Sequence, residues 1–210
     1  MIYLLSPLKK EGTVSLPMIQ FSLVATAIDF TVCDTLMFTS KQAVVSADAL
    51  DKRWKEYPCV AIGGATKKKI EALGGEVIYH PKEFYGEALA KDIQHYFSDK
   101  KLLYLRPKEV SFESKSYLEK YHIHLEEQVI YETSCVDYRE QKLEKNAIII
   151  FTSPSTIKCF FKQFSWDESY TAVLIGHATQ VHLPSECQFV VADEPLIDAC
   201  VKKAKELEKN

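Results

Sequence analysis

The sequence predicts an α/β protein built from two similar, doubly wound parallel-sheet domains joined by a two-stranded hinge. Three observations carry that reading. The first is an internal repeat. Asp34-Thr35-Leu36-Met37-Phe38-Thr39-Ser40 is followed by Ala61-Ile62-Gly63-Gly64-Ala65-Thr66, and Ala147-Ile148-Ile149-Ile150-Phe151-Thr152-Ser153 by Leu174-Ile175-Gly176-His177-Ala178-Thr179. From Phe38 to Ile62 and from Phe151 to Ile175 the spacing is 24 positions, and the two copies are offset by 113. Two phrases kept in register over that gap imply a duplicated unit, with a ligand expected between the copies. The second observation is a series of short apolar runs without polar alternation, as expected of strands covered on both faces. The third is a first strand, Ile2–Leu5, that precedes the first copy and has no counterpart inside the second.

In one unit the strands are expected at 36–38, 60–62, 77–79, 102–105 and 123–131. In the other they are expected at 2–5, 148–151, 172–175 and 189–191. Ser40 and Ser153 stand where helix N-caps belong, and Pro154 occupies the favoured first helical position. The helix opening at Ala65 should stop at Gly74-Gly75, and its counterpart after Ala178 should be cut short by Pro184. The repeat continues, with a small drift, into Glu83-Phe84-Tyr85-Gly86-Glu87-Ala88-Leu89 and Glu194-Pro195-Leu196-Ile197-Asp198-Ala199-Cys200, each a closing helix. Strands and helices in this alternation describe flavodoxin-like domains.

The unmatched first strand sends residues 1–18 into the terminal domain with 138–210, and makes 24–132 an inserted domain. Residues 17–23 and 129–137 are then connectors. Pro17-Met18-Ile19-Gln20-Phe21-Ser22-Leu23 and Val129-Ile130-Tyr131-Glu132-Thr133-Ser134-Cys135 both look extended, as two antiparallel hinge strands would.

At 210 residues, with 47% hydrophobic and 26% charged residues, the chain has an ordinary globular composition. A net charge of −3 and a pI near 6.1 offer no general attraction to nucleic acid or anionic membrane, so any anion site must be local. Neither is expected as a partner, and a monomer is expected. The N-terminal apolar run is too short for a signal peptide, and no 18-residue apolar stretch occurs, so a cytoplasmic protein is expected. Six cysteines (Cys33, Cys59, Cys135, Cys159, Cys187, Cys200) without a Cys-x-x-Cys pair read as reduced, structural thiols. His122 and His124 alternate on an expected strand, but no acidic or cysteine cluster completes a metal site. No dinucleotide or triphosphate loop is present.

Taken together, the strand-Phe-Thr-Ser-helix phrases at Phe38–Ser40 and Phe151–Ser153, the Ile-Gly-x-Ala-Thr turns at Ile62–Thr66 and Ile175–Thr179, Leu103-Tyr104-Leu105-Arg106 and Val129-Ile130-Tyr131-Glu132-Thr133 resemble the uroporphyrinogen-III synthase family. The order and spacing of these motifs, more than any one of them, carry the resemblance over nearly the whole chain. One segment departs from the family pattern. Ser6-Pro7-Leu8-Lys9-Lys10-Glu11-Gly12-Thr13 lacks the Arg-Pro after the first strand and leaves no room for a crossover helix, which needs about a dozen residues.

The resemblance implies a lyase that cyclises hydroxymethylbilane, a linear tetrapyrrole with many carboxylates, to uroporphyrinogen III. Water is lost, the last pyrrole is inverted, and no metal or other cofactor takes part. Because the substrate also closes unaided to the uninverted isomer, catalysis would be largely positioning, which needs no catalytic triad. Strand-to-helix turns offer backbone N–H groups and helix dipoles to carboxylates. Thr39, Ser40, Gly63, Gly64, Thr66, Ser153, Gly176, His177 and Thr179 are therefore candidate substrate-binding residues, although Ser and Thr at such turns are also ordinary caps. Arg106, at a strand end, joins them. Lys41 and Lys158 are weaker candidates, and Lys67-Lys68-Lys69 cannot all face one site. Tyr131 matches the family tyrosine proposed to help the hydroxyl leave, and it is the one candidate catalytic residue. An alternative from another class is a non-catalytic two-domain binding or sensory module for a small anion.

Overall fold

The computed structural model describes residues 1–82, 85–138 and 142–208. The expected repeat at Glu83-Phe84 lies outside them. In chain order the elements begin with β1 (Ile2–Leu4), β2 (Val14–Ser15), β3 (Ile19–Leu23), β4 (Thr35–Phe38), α1 (Lys41–Leu50) and β5 (Pro58–Ala61). Next come α2 (Gly64–Ala72), β6 (Glu76–Tyr79), α3 (Gly86–Tyr96), β7 (Leu102–Pro107), α4 (Ser114–Glu119) and β8 (Leu125–Cys135). The chain ends with β9 (Ile148–Phe151), α5 (Pro154–Phe161), β10 (Thr171–Leu174), α6 (His177–Gln180), β11 (Phe189–Val191) and α7 (Ile197–Glu208). It divides into two compact units, Met1–Gln20 with Ser134–Asn210 and Phe21–Thr133.

The first unit has the strand order β2-β1-β9-β10-β11, and every adjacent pair is parallel. Numbered within the unit this is 2-1-3-4-5, the flavodoxin-like order. In the second unit β8-β7-β4-β5-β6 is the same spatial pattern permuted in the chain, again with parallel neighbours, and β3 is added beside β8. The duplicated phrases therefore fall on equivalent strands. β4 and β9 are central, and β5 and β10 lie one strand outward. The topological switch point, where successive connections turn to opposite sides, is β4/β7 in one sheet and β1/β9 in the other.

Apolar side chains on both faces of each sheet make the core. Ile149, Phe151, Ile157 and Phe160 pack one face of the first sheet, and Ile148, Ile150, Val173 and Val201 the other. In the second sheet Leu36, Phe38, Val44 and Trp54 oppose Met37, Val60, Leu89 and Ile93. Unalternating apolar runs follow directly from this two-sided burial.

Local signals also behave as expected. α2 ends at Gly74, whose φ of 91° is left-handed, while Gly75 N donates to Ile70 O, closing a Schellman turn. A Cβ on Gly75 would sit 2.3 Å from the Trp54 ring, so the position is also packed shut. α6 is a four-residue helix that ends before Pro184. β2 pairs parallel to β1 with no helix between them, because a strand of two residues can be reached by the short link that precedes it.

Three expectations are corrected. The strand expected at 123–131 runs instead from Leu125 to Cys135, so His122 and His124 do not alternate on it. His122 has φ 59°, and His124 contacts Glu126 at 2.6 Å. Cys135 and Cys159 are not separate thiols but a disulfide with Cα atoms 5.3 Å apart. The fold lays the end of β8 against α5, a proximity that their separation of 24 residues conceals.

The connectors are antiparallel neighbours. Val24 N donates to Ile130 O at 3.1 Å, and Val136 N donates to Met18 O at 3.0 Å, so their partners run in opposite directions.

Candidate functional site

Parallel strands place every strand-end turn of one sheet on a single edge, the edge where open α/β sheets hold ligands. In the second unit that edge carries Thr39 and Ser40 after β4, Gly63 and Gly64 after β5, and Arg106 near the end of β7. Tyr131 joins them, because β8 pairs Tyr131 with Pro107.

Two hydroxyl pairs stand there side by side. Thr39 Oγ1 and Tyr104 Oη are 2.6 Å apart across the switch-point pair β4/β7. Ser40 Oγ and Tyr131 Oη are 2.9 Å apart. Ser40 also caps α1, accepting from Ala43 N at 3.0 Å, so one hydroxyl serves both the helix and the tyrosine. With a lone pair on Ala43 N, Ser40 can give its proton to the Tyr131 oxygen and leave the phenolic O–H free to donate outward. Burial raises the Tyr131 pKa, and the Ser40 hydrogen bond opposes that rise. The phenol is therefore a neutral hydrogen-bond donor at ordinary pH. Phe21 packs edge-on against its ring at 5.9 Å.

Arg106 reaches this edge already engaged. Its Nη1 donates to Glu127 Oε2 at 2.6 Å, Glu113 lies 3.7 Å away, and its Nε donates to Pro107 O. The second oxygen of Glu127 is buried without a partner, as befits a carboxylate whose partner contacts only one of its oxygens.

The two Gly-x-Ala-Thr turns are copies in three dimensions. Gly63 and Gly176 are extended N-caps of α2 and α6, with φ 174° and 176°. Thr66 N and Thr179 N close back onto the cap carbonyls at 3.1 and 3.0 Å. A Cβ built on Gly64 or Gly176 meets nothing within 4 Å, so both turns border open space at these positions. Thr66 and Thr179 are themselves buried, at 4% and 3% exposure.

In the first unit Ser153 and Thr156 form a capping box at the start of α5, with Pro154 at its first position. Beside it a cavity of about 360 Å³ is lined by Pro154, Ile157, Lys158, Phe161 and His182. His177 is exposed and 3.1 Å from Gln180 Oε1. Lys41 and Lys158 are exposed, and Lys67 lies 3.9 Å from Glu71.

Sequence reasoning missed Tyr104 and Glu127. Their signal is a hydroxyl two residues before Arg106 and a charge early in the run that leads to Tyr131.

The family and fold of the chain are shown by its similarity to known proteins. The model of the family described as uroporphyrinogen-III synthase HemD matches residues 10–202. The solved uroporphyrinogen-III synthetase of Helicobacter pylori is similar at 26% identity with a TM-score of 0.82, over 98% of each chain. A mutant uroporphyrinogen III synthase of Thermus thermophilus shares the fold alone. It is 10% identical, with a TM-score of 0.55 over 92% of this chain and 88% of that one. No curated protein matches by sequence. With a family model spanning nearly all of it and a duplicated strand-end geometry in both units, the chain belongs to the uroporphyrinogen-III synthase family.

Proposed function

We infer that the chain closes hydroxymethylbilane to uroporphyrinogen III, losing water and inverting the last pyrrole, a lyase step of haem biosynthesis. Besides the family membership, the observation that supports the chemistry is the hydrogen bond between half-buried Ser40 and buried Tyr131 on the carboxyl edge of the second sheet. Departure of the substrate hydroxyl leaves an electrophilic azafulvene. A phenolic O–H donating to that oxygen eases its loss as water, with no need for a strong acid. The ring then closes through a spiro intermediate whose geometry must be imposed on a flexible chain, so holding the carboxylates is the greater part of the task.

The holding groups in this reading are the backbone amides at Thr39-Ser40, Gly63-Gly64, Ser153 and Gly176-His177, reinforced by helix N-termini. Thr66 and Thr179 stiffen two of these turns. Arg106 lends charge only in so far as Glu127 releases it. The paired connectors, β3 and the end of β8, serve as the hinge of the two units, with residues 24–132 as the inserted domain. A cytoplasmic monomer is the working state, and no helix among the described residues is long and apolar enough to cross a membrane.

The test is to supply hydroxymethylbilane and identify the product isomer. Predominance of the inverted type III isomer supports the reading. Accumulation of only the uninverted isomer would leave a binding protein.

A further inference from the structure

We propose that Cys135 and Cys159 form a reversible redox modification site, a thiol–disulfide switch that locks the exit of strand β8 onto helix α5. Four features of the first unit carry this.

Cys135 is the last residue of β8 and half-buried, whereas Cys159 lies inside α5 at 4% exposure. Cys135 is thus the less buried partner, and Cys159 the sheltered one. This suits exchange at a defined atom, because access decides which sulfur is attacked.

The segment stays docked without the bond. Gln163 just beyond α5 donates to Val136 O at 2.6 Å and accepts from Tyr138 N at 2.6 Å, while Tyr138 Oη donates to Pro17 O at 3.1 Å. Opening the disulfide therefore loosens the strand exit without dissolving the unit.

The remaining thiols are poor competitors. Cys33, Cys59, Cys187 and Cys200 are unpaired, and burial pushes each of their pKa values up to about 11 or 12.

Finally, the opposite face of α5 walls the cavity lined by Ile157, Lys158 and Phe161, and its N-terminus is the Ser153 turn. A covalent tie at Cys159 acts on a helix that carries part of the candidate site. Disulfides in the reducing cytosol are typically transient and regulatory rather than structural. This last consideration rests on the cytoplasmic reading above.

The exchange balances with a small-molecule disulfide such as oxidised glutathione. The two protein thiols lose two electrons and form the Cys135–Cys159 bond. The glutathione disulfide gains those electrons, takes up both thiol protons and leaves as two glutathione thiols.

To test this, the full chain is equilibrated in glutathione buffers from fully reduced to fully oxidised. Free thiols are blocked with a maleimide, and peptide mass spectrometry reads the fraction paired. Amide hydrogen exchange of residues 134–138 and type III product formation are followed on the same samples. Pairing should rise reversibly across mixed ratios. Amides at 134–138 should exchange roughly tenfold faster in the reduced form, and turnover should differ between the two forms. A Cys135→Ser/Cys159→Ser double variant should hold the reduced values at every ratio. Should that variant fail to fold, reduced and alkylated wild-type protein provides the same comparison. Pairing that survives fully reduced glutathione would make the bond a permanent staple and overturn the proposal. So would failure to pair in oxidised glutathione, or equal exchange and turnover in the two forms. Pairing and exchange are read without turnover, so a protein inactive on hydroxymethylbilane fails the functional reading separately.

Discussion

Ser40 and Tyr131, separated by 91 positions in sequence, share a hydrogen bond of 2.9 Å that joins the cap of α1 to the interior of β8. The same serine oxygen holds Ala43 N, so the start of the helix and the orientation of the phenol are one structural event. Removing only the phenolic oxygen tests its chemistry. Tyr131→Phe should keep the fold and slow type III formation by about ten- to a hundredfold, on the order of 1.4–3 kcal/mol. Ser40→Ala should also lower stability by about 1 kcal/mol through the lost cap, measurable by urea denaturation. Unchanged turnover in Tyr131→Phe would remove the tyrosine from the mechanism.

Thr66→Ala and Thr179→Ala remove buried hydroxyls from turns whose amides remain in place. Each should reduce turnover less than Tyr131→Phe does, because the carboxylate-binding N–H groups belong to the backbone. Comparing kcat and KM for the three variants checks this ordering.

Arg106 and Glu127 are each largely shielded, with side-chain exposures of 12% and 15%. Arg106→Ala strands a shielded carboxylate and should destabilise the fold by about 3 kcal/mol. Glu127→Gln keeps the shape while releasing the guanidinium, and it should lower KM if Arg106 meets substrate carboxylates. Denaturant titration and steady-state kinetics separate the two effects. A KM unchanged in Glu127→Gln would assign Arg106 to structure alone.

Burial raises the Tyr104 pKa to about 12, against opposing contributions from its Thr39 hydrogen bond and from Arg106. An unfolded tyrosine ionises near pH 10, so between these values the unfolded chain gives up a proton that the folded protein keeps. Stability from this group is complete below about pH 10 and declines as pH rises toward 12, by roughly 2 kcal/mol. Unfolding free energies at pH 8 and pH 11.5 should diverge more in wild type than in Tyr104→Phe.

Gly75→Ala should destabilise by about 1–3 kcal/mol, because its Cβ would collide with the fully buried Trp54 ring. Thermal melts provide the measurement. Gly64→Ala, facing open space, is the control for the loss of a glycine.

Whatever depends on neighbours a few residues apart was legible in the chain. The cap at Ser40, the capping box at Ser153 with Pro154, the glycine stop of α2 and the shortness of α6 all follow from i to i+5 chemistry. The two-sided strands were legible because continuous apolar runs record burial on both faces. The repeat located β4 and β9 and their outward neighbours, since the same phrase folds the same way twice. Which strand ends meet, by contrast, emerges with the assembled sheets. Thr39 finds Tyr104, Ser40 finds Tyr131, Arg106 finds Glu127 and Cys135 finds Cys159 through strand order and register, and no local pattern encodes those. Register also moved β8 to Leu125–Cys135 and took His122 and His124 off the strand. Long-range pairing in a parallel sheet is settled by the packing of whole elements, so a side chain's partner is known only once every strand has its place.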